Sequence, residues 1–306
     1  MDKHKVSSYS DIQLSTENKI PKMPRYKASS YRRNKFGIGE TLVLAVLLIG
    51  VVCIAYPLFW MVMSSLKSYK EIYGNVWGLP SVWKFSNYAI AWDKGISKYF
   101  LNSLIVTIST VTGVVIIASL CAYGLSRYRF RGMSIALIIC MGGMMLNPQV
   151  CVVPLYVLLQ KLGIHNTRFA MILPYIAFRL PLTVLLIRSF FLAIPKELEE
   201  SARIDGCSAF GIYWRIFMPI SKPILLTSVI LTSYYSWNEF LFSIIFIDSD
   251  NLKTIPSGLM NFRDALQTDW GVLLAGMVIS ALPIIILFIC MQKYFIRGMA
   301  AGSVKG

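Results

Sequence analysis

TLVLAVLLIGVVCIAYPLFWMVMSSL, Thr41–Leu66, is 26 residues long and contains no charge. A helix needs about 20 apolar residues to cross the hydrocarbon core of a bilayer. Five further runs follow. Tyr99–Ser126, Gly132–Gln160 and Trp270–Gln292 are also free of charge; Phe169–Phe191 is interrupted by Arg179 and Arg188, and Pro223–Ile247 only by Glu239. A soluble core holds an occasional buried helix of this kind, but not six. The runs predict an all-α polytopic membrane protein with six transmembrane helices, divided into a polar basic tail, 1–40, and a membrane domain, 41–306.

Composition points the same way. Apolar residues make up 56% and charged residues 15% of the chain, against about 25% charged in soluble domains, and mean hydropathy is +0.61. The six Cys form no C-x-x-C pair, and the two His are His4 and His165. Neither a disulfide framework nor a metal site is expected. The polar first forty residues make the first span an uncleaved anchor rather than a signal peptide.

Basic residues orient the spans. Met1–Glu40, Arg127–Arg131, Pro195–Lys222 and Lys293–Gly306 hold 19 Lys and Arg; the three loops on the other side, Lys67–Lys98, Lys161–Arg168 and Asp248–Asp269, hold 9. The richer side is expected to be cytoplasmic, with both termini inside. The net charge of +15 follows this topology. Arg32-Arg33-Asn34-Lys35 reads as a juxtamembrane segment meeting anionic lipid, and no nucleic-acid motif accompanies it. Met1–Tyr31, biased to Ser, Lys and Pro, reads as a polar tail.

The stretch Pro195–Lys222 differs from everything around it. It runs PKELEESARIDGCSAFGIYWRIFMPISK. Pro195 suits a first helical position, and Glu197, Glu199 and Glu200 suit the positive end of a helix dipole. Asp205-Gly206 breaks the helix, and Asp205 is expected to cap a second one reaching about Phe217, ahead of Pro219. Ala202, Gly206 and Ala209 offer a shallow face, with Ile204, Phe210, Tyr213 and Trp214 as apolar knobs beside it. Sequence physics leaves two readings for this helix–turn–helix: a protein-docking face, or an amphipathic segment resting on lipid.

Glu200-Ser201-Ala202, then Gly206, then Ile216-Phe217-Met218-Pro219 resembles the EAA motif of ABC importer permeases. Ser201 stands for the second Ala and Met218 for Leu, and Asp205 matches the D-G usual before the motif's Gly. Pro154-Leu155-Tyr156, Leu162-Gly163, Ser236-Trp237-Asn238-Glu239-Phe240-Leu241 and the ending Tyr294–Gly306 resemble the carbohydrate-uptake subfamily, and within it the maltose-type second permease. The resemblance runs from about the first span to Gly306.

It implies a type I ABC importer permease fold, in which a helix-turn-helix coupling loop, 195–222, docks on a cytoplasmic ATPase. The coupling residues are then Glu200, Ser201, Ala202, Asp205, Gly206, Phe210, Ile216 and Pro219. The chain's end, through Met299, Gly302 and Lys305, is implied as a second contact inserted between two ATPase copies. The implied assembly has a second homologous permease, two ATPases and an extracytoplasmic sugar-binding protein in a prokaryotic cytoplasmic membrane. The chain has no G-x-x-x-x-G-K-[ST]. ATP and Mg are therefore expected on the partner ATPase, with no cofactor in this non-catalytic chain. The implied cargo is a sugar, of oligosaccharide size. Other polar solutes, such as a glycerol phosphate ester, and an ion-coupled secondary transporter are the rivals.

Ionisable groups inside spans are functional candidates because lipid penalises them. On a continuous helix Tyr235, Glu239 and Phe242 share a face, with Tyr234 and Asn238 on the next strip. A carboxylate and an amide bind hydroxyls, and aromatic rings pack on sugar C–H faces. These residues are candidates for a substrate pathway; the alternative is a helix-to-helix hydrogen bond or a salt bridge from Glu239 to Arg179. Arg188, nearer the cytoplasmic end, is expected to snorkel. Asn147-Pro148 and Pro154 are expected to kink the third run.

Overall fold

The structure is a computed structural model that describes residues 38–262 and 268–303, with side chains over 39–262 and 268–293. Contacts divide the chain into residues 1–53 and 54–306. α1, Ile38–Ser65, begins in the first unit, and its face is exposed apolar surface over most of its length. An apolar face left exposed in this way suits lipid or another subunit, while the end of α1 is held by its own chain, with Trp60 Nε1 donating to the Val76 carbonyl at 3.0 Å.

Two short helices follow, α2 (Tyr69–Gly74) and α3 (Ser86–Ala91), and the chain then runs through a π turn, Trp92–Ile96, into α4, Ser97–Arg127. Gly95 has φ of +129° inside that turn, a value that side chains disfavour. The buried positions of α4 recur every three or four residues: Tyr99, Ser103, Val106, Thr110, Val114, Ala118, Ala122 and Leu125. Most are small or hydroxylated, which lets membrane helices approach closely. α4 packs along α7, Phe169–Ala193.

The third apolar run is broken at Asn147-Pro148, where the sequence led to the expectation of a kink. It forms α5, Met133–Met145, and α6, Val152–Lys161, separated by Leu146–Cys151. Pro148 has no N–H to give, and its ring pushes Asn147 out of the helical region. Asn147 Oδ1 accepts instead from the Gln149 N–H at 3.0 Å. Thirteen residues reach about 20 Å as a helix, short of the roughly 30 Å core.

After α7 come α8 (Glu197–Ile204), α9 (Ala209–Ile212), a π turn (Tyr213–Phe217) and α10 (Met218–Ile220). The chain then bends by 77° into α11, Lys222–Asn238. This helix stops at Glu239, whose backbone is extended, and α12, Leu241–Phe246, resumes after Phe240. α13 (Ile255–Gly258) precedes α14, Trp270–Ser303. Among the described residues, four helical stretches are each long and apolar enough to cross a bilayer unbroken: Gly39–Ser65, Ser86–Arg127, Phe169–Ala193 and Trp270–Lys293. The bent pair ending in α11 makes up to five.

The segment 248–262 is tied onto the start of α4. Tyr99 Oη donates to Asp250 at 2.9 Å, Asn102 Nδ2 to the Asn251 carbonyl at 2.7 Å, and the Ile255 N–H to Ser103 Oγ at 2.9 Å. In the loop before α3, Ser81 donates from both its N–H and its hydroxyl to Glu71, which holds that carboxyl below its ordinary range.

Candidate coupling and translocation sites

The helix–turn–helix of 195–222 is built onto the ends of α4 and α7. Ala202, Ile212, Tyr213 and Phe217 bury themselves among Ala118, Ala122, Tyr123, Val184, Ile187 and Phe191. Tyr213 Oη pairs with Ser119 Oγ at 2.8 Å, and Tyr123 Oη donates to the Ala209 carbonyl at 3.2 Å. At the centre lies Arg127. Its Nη2 donates to the Phe191 and Ile194 carbonyls at 2.8 and 2.7 Å, the last turn of α7. Its guanidinium stands 4.7 Å over the Phe217 ring, and its Nε is 3.6 Å from the Glu199 carboxylate. The two side chains are 4% and 10% exposed. Glu199 also accepts from Arg203 at 2.7 Å, which pushes that guanidinium up from its ordinary value.

The turn between α8 and α9 ends the first helix in a Schellman geometry. The Cys207 N–H reaches the Ala202 carbonyl at 2.9 Å, and the Gly206 N–H reaches that of Arg203 at 3.0 Å. This requires a left-handed residue, and Gly206 has φ of +79°. α9 is capped by Ser208, whose Oγ accepts from the Gly211 N–H at 3.2 Å. The outward face carries Glu200, Ser201, Asp205 and Gly206, and around them Ile204, Phe210 and Trp214, which are 87%, 67% and 61% exposed.

The second site lies beside the break between α11 and α12. Gln149, Arg179, Tyr234, Tyr235, Asn238 and Glu239 line an open cavity of about 670 Å³, within the range of small-solute pockets. Glu239 accepts from Tyr175 Oη at 2.5 Å and from the Phe242 N–H at 3.0 Å. It thereby closes the start of α12 and holds α7 to it. The Arg179 guanidinium stacks on Tyr235, 4.6 Å from the ring centroid. Asn238 Nδ2 donates to the Tyr234 carbonyl at 2.8 Å.

Residues 115–301, which include both sites, match the model of the family described as binding-protein-dependent transport system inner membrane component. The chain belongs to this family. It is 60% identical over 274 residues to the probable ABC transporter permease protein YurM of Bacillus subtilis strain 168, covering 90% of this chain and 91% of that one. It is 33% identical over 281 residues to the trehalose/maltose transport system permease protein MalG of Thermococcus litoralis, covering 87% and 96%. The structure superposes with TM-score 0.73 and 26% identity on a bacterial ABC transporter involved in the import of the acidic polysaccharide alginate, covering 83% of this chain and 96% of that one. The chain is thus a membrane permease subunit of an ABC importer, with the helical fold of that class.

Within the permease, several residues sit elsewhere than the sequence pattern suggested. Ala202 and Tyr213 face inward, because α8 and α9 need an apolar side against α4 and α7; they form the seat of the loop rather than its outer surface. Asp205 is the C-cap of α8, and the cap of α9 is Ser208. α8 begins at Glu197, two residues after Pro195, and the second helical stretch continues through Pro219 to Ile220. Ile216 is half-buried and Pro219 exposed.

At the cavity, Tyr235, Asn238 and Glu239 come together, but Phe242 does not line it. The break at Glu239 rotates Phe242 into the core, where it is fully buried and stacks on Tyr175. The Glu239–Arg179 salt bridge does not form; the carboxylate is engaged by Tyr175. Arg188, half-buried, reaches the end of α4, where its Nε donates to the Leu125 carbonyl at 3.0 Å. Met299 and Gly302 continue α14 as helix, and Lys305 lies outside the described residues. Sequence reasoning missed Arg127 and Tyr175. Arg127 had been absorbed into the basic turn, and a lone Tyr in an apolar run carries no signal of its partner.

Proposed function

We propose that this permease imports a sugar, of oligosaccharide size, by alternating access, and that the outward face of 195–222 docks on a cytoplasmic ATPase which binds ATP and Mg. The supporting observation is the contrast within the loop. Its inner side is locked to two spans through Arg127 and Glu199, while Ile204, Phe210 and Trp214 are each left exposed. Exposed aromatic anchors on a rigid base suit a protein partner, and a rigid base transmits the partner's movement to the spans. The sugar class is supported by the MalG relative, named for trehalose and maltose, and by the polar lining of the cavity. A second permease, two ATPases and an extracytoplasmic binding protein complete the proposed importer. The end of the chain, with Met299, Gly302 and Lys305, is read as a second ATPase contact.

The test is co-purification of the ATPase with Phe210→Ala and Ile204→Asp variants of the full complex. The membrane level of the permease should stay normal while ATPase recovery and sugar-stimulated hydrolysis fall at least tenfold in the double variant. Normal ATPase recovery with an unchanged uptake rate would sink the docking assignment.

A further inference from the structure

The inference here deepens the sugar-permease reading on which it rests: it names the chemistry of the solute. The cavity at the α11–α12 break is lined by two charged side chains, and they are used differently. Glu239 is committed, with the Tyr175 hydroxyl on one oxygen and the Phe242 N–H across both. Arg179 is not. Its Nε is buried without a hydrogen-bond partner, and the ion pairs of the described residues do not include it. The Tyr235 ring covers one face of the guanidinium. Stacking of this kind holds the plane while leaving the N–H fork, which lies in the plane, free to donate.

A cation in the apolar interior is costly unless something pairs with it. Arg179 lies near the middle of α7, away from either headgroup layer, so a lipid phosphate is not its counterpart. Within this chain a structural ion pair does not form, since the nearby carboxylate is already held by Tyr175. The open cavity beside the guanidinium then points to a group that arrives with the solute. A planar carboxylate matches the guanidinium fork with two parallel hydrogen bonds. Around that point the lining suits the rest of a sugar. Asn238 spends its Nδ2 on the Tyr234 carbonyl, which leaves Oδ1 to accept from a hydroxyl. Gln149 and the exposed Tyr234 add an amide and an aromatic ring.

We propose that this cavity binds the carboxylate of an acidic sugar, with Arg179 as the specificity-determining cation and Asn238 and Gln149 on its hydroxyls. The solute class is then a uronic acid or another carboxylate-bearing saccharide rather than a neutral one.

The experiment is substrate protection in membrane vesicles carrying the whole importer. The six native cysteines are replaced by serine and a single reporter is introduced on the cavity wall as Leu231→Cys. The rate of its reaction with methyl methanethiosulfonate is measured with glucuronate, digalacturonate, glucose, galactobiose or glucose 6-phosphate present. Glucuronate or digalacturonate should slow labelling at least fivefold at concentrations where glucose and galactobiose change it less than twofold. Arg179→Gln should abolish that protection and Arg179→Lys should retain part of it, with assembled complex measured for each variant. Should Arg179→Gln fail to assemble, the Lys variant and the sugar panel on the Arg179 protein still decide. Equal protection by acidic and neutral sugars, unaffected at Arg179, would overturn the anionic assignment and leave the sugar reading standing. Protection by glucose 6-phosphate alone would overturn the carboxylate. Protection by none of the five would overturn both the assignment and the reading of this cavity as a sugar pathway.

Discussion

Arg127 shows how one side chain serves the span, the loop and the helix end together. Three contacts meet on it: the last carbonyls of α7, the Glu199 carboxylate and the Phe217 ring. Removing one member of a buried charge pair costs about 3–5 kcal/mol, much of it from stranding the other. Arg127→Ala should therefore prevent assembly or lower the thermal midpoint of the complex sharply. Adding Glu199→Gln to that variant should cost little beyond the exposed pair with Arg203, because the carboxylate has already lost its buried partner. A double-mutant cycle read by thermal unfolding of the detergent-solubilised complex checks this, and additive losses would show that the pair is not coupled. In the sequence Arg127 belongs to Arg127-Tyr128-Arg129-Phe130-Arg131, and charge counting treats its three Arg alike. Only the packing of α7 and α8 against α4 separates the buried one from its neighbours. Glu239 was legible by contrast, because a single carboxylate in an apolar run is conspicuous; its partner Tyr175 was not.

At the scale of elements, apolar runs were read well, the break at Asn147-Pro148 was anticipated only as a kink, and the break at Glu239 was missed. Run length places α1, α4, α7 and α14 because lipid demands long unbroken apolar helices. The same criterion counts α5 and α6 as one span, since hydropathy does not register what Pro148 does to the backbone on either side. It also carries α11 straight through Glu239, which put Phe242 on the wrong face. The turn at Gly206 is the opposite case. Its glycine was recognised as the break between two helices and as part of a shallow face open to close approach, and the structure adds a left-handed backbone reason. A Cβ built there meets no atom within 4 Å, yet φ is +79°. Gly206→Ala should thus lower stability by about 1 kcal/mol through the left-handed backbone alone, and Gly206→Asn by less. Thermal unfolding of the assembled complex measures that order. Should both variants remain stable while sugar-stimulated ATP hydrolysis collapses, the space over Gly206 belongs to a docked partner, and the close-approach reading stands beside the backbone one.

For the whole molecule the prediction concerns direction: which side of the membrane holds the helix–turn–helix. The excess of basic residues, 19 against 9, predicts the orientation, because Lys and Arg resist translocation. The richer set includes 195–222, which carries the proposed docking face for a cytoplasmic ATPase. The fold offers an internal check, since the segment 248–262 is pinned to the start of α4 and the seat of 195–222 to its other end. These two segments therefore lie at opposite ends of one helix of 31 residues, about 46 Å long at 1.5 Å per residue, which exceeds the bilayer core. Whatever places one outside places the other inside. Asn251 and Ser208 are both exposed, so each can carry a reporter without disturbing a core. In intact cells a membrane-impermeant maleimide should label Asn251→Cys and leave Ser208→Cys unreacted until the cells are opened, with the native cysteines removed beforehand. The reverse pattern would invert the protein and move the proposed ATPase contact out of reach. Labelling of both positions in intact cells would contradict the span of α4 itself, and with it the membrane reading of the helix that packs along α7.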